Sequence, residues 1–190
     1  MRNKTRLILR IVSGVFTLAI CVTAFIYSGK EMNASNADSK TVTDAVAPVA
    51  ITNYQKLSGE KKEASENTLN VRIRKIAHCL EYMAMGAGAA IFALTFLPSG
   101  EKPAPVAPDK KKRRRPGATV LCAAALSFCL LYATLDEIHQ YFVPGRAGTV
   151  WDVALDFLAA GVSVLILWGC AMIMRNAECG MRNDELGDER

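Results

Sequence analysis

Four long apolar blocks separated by charged segments make this chain an all-α integral membrane protein, a helical bundle with four transmembrane helices. Of its residues 51% are hydrophobic while 22% are charged. That combination in 190 residues means that the two kinds are segregated along the chain. Each block is about 18 to 22 residues, enough for a helix to cross a hydrocarbon core of roughly 30 Å. None shows the continuous polar stripe that a water-exposed helix of such length carries.

The first block, Leu7 to Ser28, follows Arg2, Lys4, Arg6 and Arg10. A secretory signal peptide has the same beginning, and Val22-Thr23-Ala24 resembles a cleavage site. The apolar run is long for such a peptide, so residues 1–28 are read as an uncleaved anchor. The second block, Ile76 to Leu97, is apolar apart from His78 and Glu81. The third, Ala118 to Leu135, has no charge, and its helix can run on to Val143. The fourth, Val153 to Met174, holds only Asp156.

Between the blocks lie three polar segments. Residues 29–70 are an extracytoplasmic polar segment in which Val42 to Leu57 suits a short amphipathic helix on the membrane, broken by Pro48. The loop at 98–117 carries seven basic residues against two acidic ones and is rich in proline, so it is expected to be extended or disordered and cytoplasmic. The tail, 175–190, is expected to be cytoplasmic and disordered. Basic residues at the amino terminus and in the 98–117 loop agree on this orientation, because two crossings separate them. Residues 29–75 hold eight bases against six acids and lie outside; Arg72, Arg74 and Lys75 at the outer end of the second span run against the rule. The expected localisation is therefore a multi-pass protein of a cell membrane.

The net charge of +5 points to no nucleic acid. The KKKRRR run lies between two spans, where it is a topology signal and a contact for anionic lipid. The six cysteines form no Cys-x-x-Cys pair and are read as small buried apolar residues. In the second span, Ala84 with Gly88 and Gly86 with Ala90 stand four apart, the spacing that lets membrane helices approach closely.

Ionisable residues gather at one end of three spans. His78 and Glu81 open the second, sharing a face with Lys75 and Tyr82. Asp136, Glu137, His139 and Gln140 close the third. Asp136 shares a face with His139 and Gln140, and Glu137 sits one position round. Arg146 follows a Pro144-Gly145 turn, and Asp152 and Asp156 open the fourth span. Charges in a span face a bundle interior or a water-filled cavity. One pocket near the outer leaflet is expected, lined by His78, Glu81, Glu137, Gln140, Arg146, Asp152 and Asp156. As an enzyme, Glu137 would be the base and His78 the acid. Arg146 would hold an anionic group, with Asp152 or Asp156 orienting. As a binding module, the same pocket would recognise a ligand without chemistry. Lipid translocation ranks third, since the charges lie near one face. No metal or cofactor is implied: the nearest ligand set, His78, Glu81, Glu137 and His139, includes two positions that diverge on one helix.

The strings RKIAHCLEY and DEIHQYFVPGRAGTVWDVALD resemble the VanZ-like membrane protein family over Arg72 to Trp168. Lys75, His78 and Tyr82 match its first motif. Glu137, Gln140, Pro144, Gly145 and Arg146 match the second, and Asp152 and Asp156 the third. Ala159 stands where many members have glycine, which is a packing difference. The first span, with Ser28, Ser35 and Ser39, is similar to that of members with an extra amino-terminal helix; residues 71–174 would be the three-helix core. Lys75, Glu81, Tyr82 and Gln140 are ligand-binding candidates beside His78, Glu137, Arg146, Asp152 and Asp156; of these the resemblance contributes Lys75 and Tyr82. It implies low-level resistance to the glycopeptide teicoplanin by an undefined mechanism. The implied partners are membrane lipids and an envelope lipid precursor or a glycopeptide; oligomeric state is left open.

The orientation makes a direct prediction. In a background without native cysteines, Thr149→Cys will react with an impermeant maleimide in intact cells. Ser99→Cys, and Cys179 restored alone, will stay protected; the reverse pattern inverts the topology.

Overall fold

A computed structural model describes residues 3–97, 117–146 and 148–188. The basic stretch 98–116, the cytoplasmic loop of the sequence reading, lies outside the described residues, as does the side chain of Cys179. Five helices follow one another: α1 (Asn3–Ser28), α2 (Met32–Ala50), α3 (Gly59–Leu94), α4 (Ala118–Tyr141) and α5 (Val150–Asp188), with a short 3-10 turn at Tyr54–Lys56. Among the described residues there is no strand. Helices α1, α3, α4 and the Val150–Ala177 part of α5 are long and apolar enough to cross a membrane. The protein is thus an all-helical, multi-pass membrane protein.

The bundle is apolar on its outside. Leu18, Val120, Leu131, Leu158, Leu165 and Ile166 are exposed, as lipid-facing side chains must be. Small residues fill the inside: Ala89, Ala90, Cys122, Ala125, Cys129, Ala133 and Ala160 form the core with Tyr82, Met85 and Val164. Lipid tails are as apolar as leucine, so burial of apolar area gives no drive for helices to associate. Close contact must do so instead, and small residues permit it. The GAGAA stretch serves this purpose on two sides. A Cβ at Gly86 would lie 2.6 Å from the Ala160 carbonyl oxygen and 2.7 Å from Ser163 Oγ on α5. A Cβ at Gly88 would strike Thr17 Oγ1 and the ring of Phe16 on α1. Helix α3 is therefore central, packed on α1, α4, α5 and α2.

At one end of the bundle, α1 is pinned to the carboxyl end of α3. Arg6 Nη1 donates to the Leu97 carbonyl at 2.8 Å. Arg10 donates from Nε to Thr95 Oγ1 at 3.1 Å and from Nη2 to the Thr95 carbonyl at 3.3 Å, and lies 3.8 Å over the Phe96 ring. These bases meet carbonyls that a helix terminus leaves without partners, where positive charge is also favoured.

At the other end, two expectations need correction. The helix in the 29–70 segment is longer than Val42 to Leu57 and begins earlier, at Met32, while Pro48 falls in its last turn. It is held by an amino-terminal extension of α3: Thr43 is buried and donates to Asn70 Oδ1 at 3.0 Å. Tyr54 Oη donates to Glu66 Oε1 at 2.6 Å beyond the turn. Polar side chains thus staple α2 to α3. The tail is also ordered differently from expectation, as α5 continues to Asp188. No proline interrupts it, and Glu178, Met181 and Arg182 are good helix formers.

Gly86→Leu will force α3 off α5, because the obstacle is backbone. The expected loss is about 1–3 kcal/mol, read as a lower thermal midpoint of the detergent-solubilised protein. Gly161→Ala, where a Cβ meets nothing within 4 Å, will leave that midpoint unchanged or raise it.

Candidate functional site

Three helices turn a polar face to the same point, and each face follows helical spacing. On α3 it is Val71, Arg74, Lys75 and His78; on α5 it is Asp152, Leu155 and Asp156. On α4, Ala133, Asp136, Glu137 and Gln140 are all buried, a pattern of i, i+3, i+4 and i+7. Between them lies a cavity of about 110 Å³, to which Glu137, Gln140 and Arg146 also contribute.

The loop after α4 is built by its own sequence. Arg146 N donates to the Val143 carbonyl at 3.1 Å, with Gly145 at φ 77°. A proline followed by a residue of positive φ is a type II turn, for which Pro-Gly is the favoured pair. The turn sends Arg146 back under the end of α1, where Nη1 donates to the Ser28 carbonyl at 2.9 Å and Nη2 to Ser35 Oγ at 3.1 Å. Burial and the nearby Arg74 charge pull the Arg146 guanidinium below its ordinary value, yet it stays charged, as arginine does in proteins. Gly148 passes so close to the Glu137 carbonyl that a Cβ has no room. Thr149 then caps α5: its Oγ1 accepts from Asp152 N at 3.1 Å and donates to Asp152 Oδ2 at 2.8 Å.

These contacts join into one hydrogen-bonded relay. Ser28 Oγ donates to Asp136 Oδ1 at 2.5 Å. The Gln140 amide donates to Asp136 Oδ2 at 3.0 Å and to Glu137 Oε1 at 3.1 Å. Thr149 N donates to Glu137 Oε2 at 2.9 Å. Thr149 leads to Asp152, and Asp152 Oδ1 meets Lys75 Nζ at 2.5 Å. The relay runs from α1 through α4 and the loop to α5 and ends on α3.

The sequence candidates fall into three groups. Lys75, Glu137, Gln140, Arg146 and Asp152 line the cavity and are tied into the polar network. His78 and Asp156 line it too, without hydrogen bonds to their side chains among the described residues. His78 Nδ1 stands 3.7 Å from Glu81 Oε2, in ion-pair range only. Glu81 and Tyr82 do not line the cavity. Tyr82 is fully buried in the core, because it lies one turn deeper on α3 than His78. His139 also turns away, stacked on Phe25 of α1 with ring centroids 4.4 Å apart.

Sequence reasoning missed four contributors. Asp136 sits on the same stripe as Glu137 and Gln140; the long Glu137 side chain covers the one-position offset. Arg74 shares a stripe with Lys75 and His78. Periodicity carried both signals. Ser28 and Thr149 contribute through partners far along the chain or through backbone, which no spacing reveals. No group of three or more His, Cys, Asp and Glu among the described residues is arranged to hold a metal ion.

Fold and site define a multi-pass helical membrane protein with a polar cavity at one end of its bundle. The VanZ/LLP1 family model matches residues 14–174, and the chain belongs to that family. The match begins within α1, so it takes in that helix from Gly14 onward as well as the three that bear the cavity. Neither the curated proteins nor the solved structures hold a match to the chain.

Ser28→Ala will remove one donor from the buried Asp136 carboxylate and lower stability by about 1–3 kcal/mol, seen as a reduced thermal midpoint in detergent. Ser13→Ala is the control, since among the described residues Ser13 Oγ bonds only within its own helix.

Proposed function

We propose that this protein recognises a cell-envelope ligand in its polar cavity at the outer face of the bacterial cytoplasmic membrane, and that this underlies a contribution to glycopeptide (teicoplanin) resistance. The observation that carries the reading is the convergence of His78, Glu137, Arg146, Asp152 and Asp156 on one cavity at the helix ends. The outward placement rests on the basic residues at the amino terminus and in the 98–117 loop. Exposed Tyr141, Phe142 and Trp151 surround the same end. Aromatic side chains of that kind sit at the level of lipid head groups.

The size of the cavity favours a small group. Drug-sized ligands occupy pockets of roughly 300–1,000 Å³, against about 110 Å³ here. A lipid head group or the polar end of an envelope precursor suits that space, and a whole glycopeptide does not. Resistance would then act through the envelope component. Translocation gains no support, because among the described residues the buried charged side chains, Asp136, Glu137 and Asp156, all lie at the cavity end, above a core of Ala, Cys, Met and Val with Tyr82. Catalysis has one observation in its favour: His78, unbonded, lines the same cavity as Glu137, so an acid and a base share one space. Turnover separates the two: an enzyme leaves a modified lipid, a recognition protein does not.

Glu137→Gln and Arg146→Ala will each return the teicoplanin inhibitory concentration of an expressing strain to that of the empty vector. The amount of protein in the membrane fraction will match wild type. Retained protection in both variants would make the cavity a structural feature.

A further inference from the structure

The three carboxylates of the cavity are not equivalent. Glu137 accepts from Gln140 and from Thr149 N. Asp152 is met by Lys75 and Thr149. Asp156 is only 3% exposed, lines the cavity, and has no hydrogen bond or ion pair among the described residues. A carboxylate so far from bulk water with no protein donor is costly unless a proton or a cation meets it. A ligand that brings a cationic donor removes that cost.

The other side of the cavity offers the opposite charge. Arg146 uses one N–H on Ser28 and one on Ser35, out of the five that a guanidinium carries. The rest can meet an anion. Carboxylate and guanidinium thus line one small space, which suits a compact zwitterion. The lining is selective as to the cation. Among the described residues it holds no Phe, Tyr or Trp, and its apolar members are Val71 and Leu155. A quaternary ammonium needs aromatic faces for its recognition; a primary ammonium needs acceptors, which Asp156 supplies. The exposed Tyr141, Phe142 and Trp151 set the cavity at head-group depth, where the reachable zwitterion is part of a lipid.

We infer that the cavity binds a membrane lipid head group joining a primary ammonium to a phosphate, with Asp156 as counter-ion of the ammonium and Arg146 facing the phosphate. The inference rests on the recognition function proposed above and names its ligand class.

The test is native mass spectrometry of the full-length protein in mild detergent. It is given phosphatidylethanolamine, its N-methyl and N,N-dimethyl forms, phosphatidylcholine and phosphatidylglycerol, all with the same acyl chains. Occupancy is expected to fall stepwise with methylation, with phosphatidylethanolamine held about tenfold over phosphatidylcholine, the scale of one charge-assisted hydrogen bond. Phosphatidylglycerol, which lacks the ammonium, will rank with phosphatidylcholine. Asp156→Asn, nearly the same shape, will bring phosphatidylethanolamine down to the phosphatidylcholine level with helicity unchanged. Equal occupancy of all lipids by wild type overturns the inference, as does selectivity that survives in Asp156→Asn. The methylation series on wild type decides the question if the variant does not fold. Free phosphoethanolamine competing at the same concentration as the lipid would replace the lipid source by a soluble one and overturn that part. Equal lipid occupancy, with protection still lost in Glu137→Gln, would sink the ligand assignment and leave the envelope function standing.

Discussion

Ser28 is the residue on which the polar end of this protein turns. Its hydroxyl holds Asp136, 108 positions away, and its carbonyl holds Arg146, 118 positions away. The same oxygen lies 2.8 Å from Ala24 O in its own helix, so one rotamer sets its single proton between two acceptors. In a bilayer no water stands ready to satisfy a polar group. A carboxylate and a guanidinium at helix ends must find protein partners, and the end of α1 supplies one for each. This makes α1 part of the site. An anchor that merely tethered the chain would have no reason to place a serine there, or to carry Arg6 and Arg10 against the far end of α3.

The relay that starts at Ser28 needs the helices close together, and the apolar core provides this. Gly86 lets α3 touch the α5 backbone, and Gly88 lets it touch α1. Ser163 on α5 donates to the Met83 carbonyl of α3 at 2.8 Å, a further interhelical bond that only such proximity allows. Polar contacts at the head of the bundle and small-residue contacts along its length are therefore coupled. Hydrogen bonds in such a network strengthen one another, and loss of one member leaves others unsatisfied. The sharp turn at Pro144-Gly145 belongs to the same scheme, since it alone returns Arg146 to α1.

Much of this was legible in the sequence, and the reason is the bilayer. Its thickness fixes span length, so the four blocks announce four helices, and the all-helical membrane fold follows. Its low polarity makes each charge in a span conspicuous, so Lys75, His78, Glu137, Asp152 and Asp156 stand out. What stayed hidden depends on depth and on distant partners. Tyr82 shares a helical face with His78, yet one turn carries it out of the cavity into the core. His139 shares a face with Asp136 by count, but Phe25 draws its ring towards α1. The extent of α2 was hidden for a different reason. Its polar stripe reads as a surface helix, and only the matching extension of α3 shows that Thr43 is buried against Asn70.

The residues of the site thus divide by what they touch. Ser28, Asp136, Gln140, Glu137, Thr149, Asp152 and Lys75 are linked to one another, and their hydrogen-bonding capacity is largely spent on holding five segments in register. His78 and Asp156 stand beside this chain, on α3 and α5, facing the cavity without hydrogen bonds of their own among the described residues. A network that only stabilised a fold would gain from leaving neither residue polar, because apolar side chains of similar volume pack there at no desolvation cost. The relay fixes the positions of α3 and α5, and so fixes the spacing of these two unsatisfied groups across the cavity. Pre-set spacing is what a recognition site requires, since a small ligand then binds without ordering its host. The scaffold places the ligand-facing groups, and Arg146 and Glu137 belong to both, tied to the network while they line the cavity.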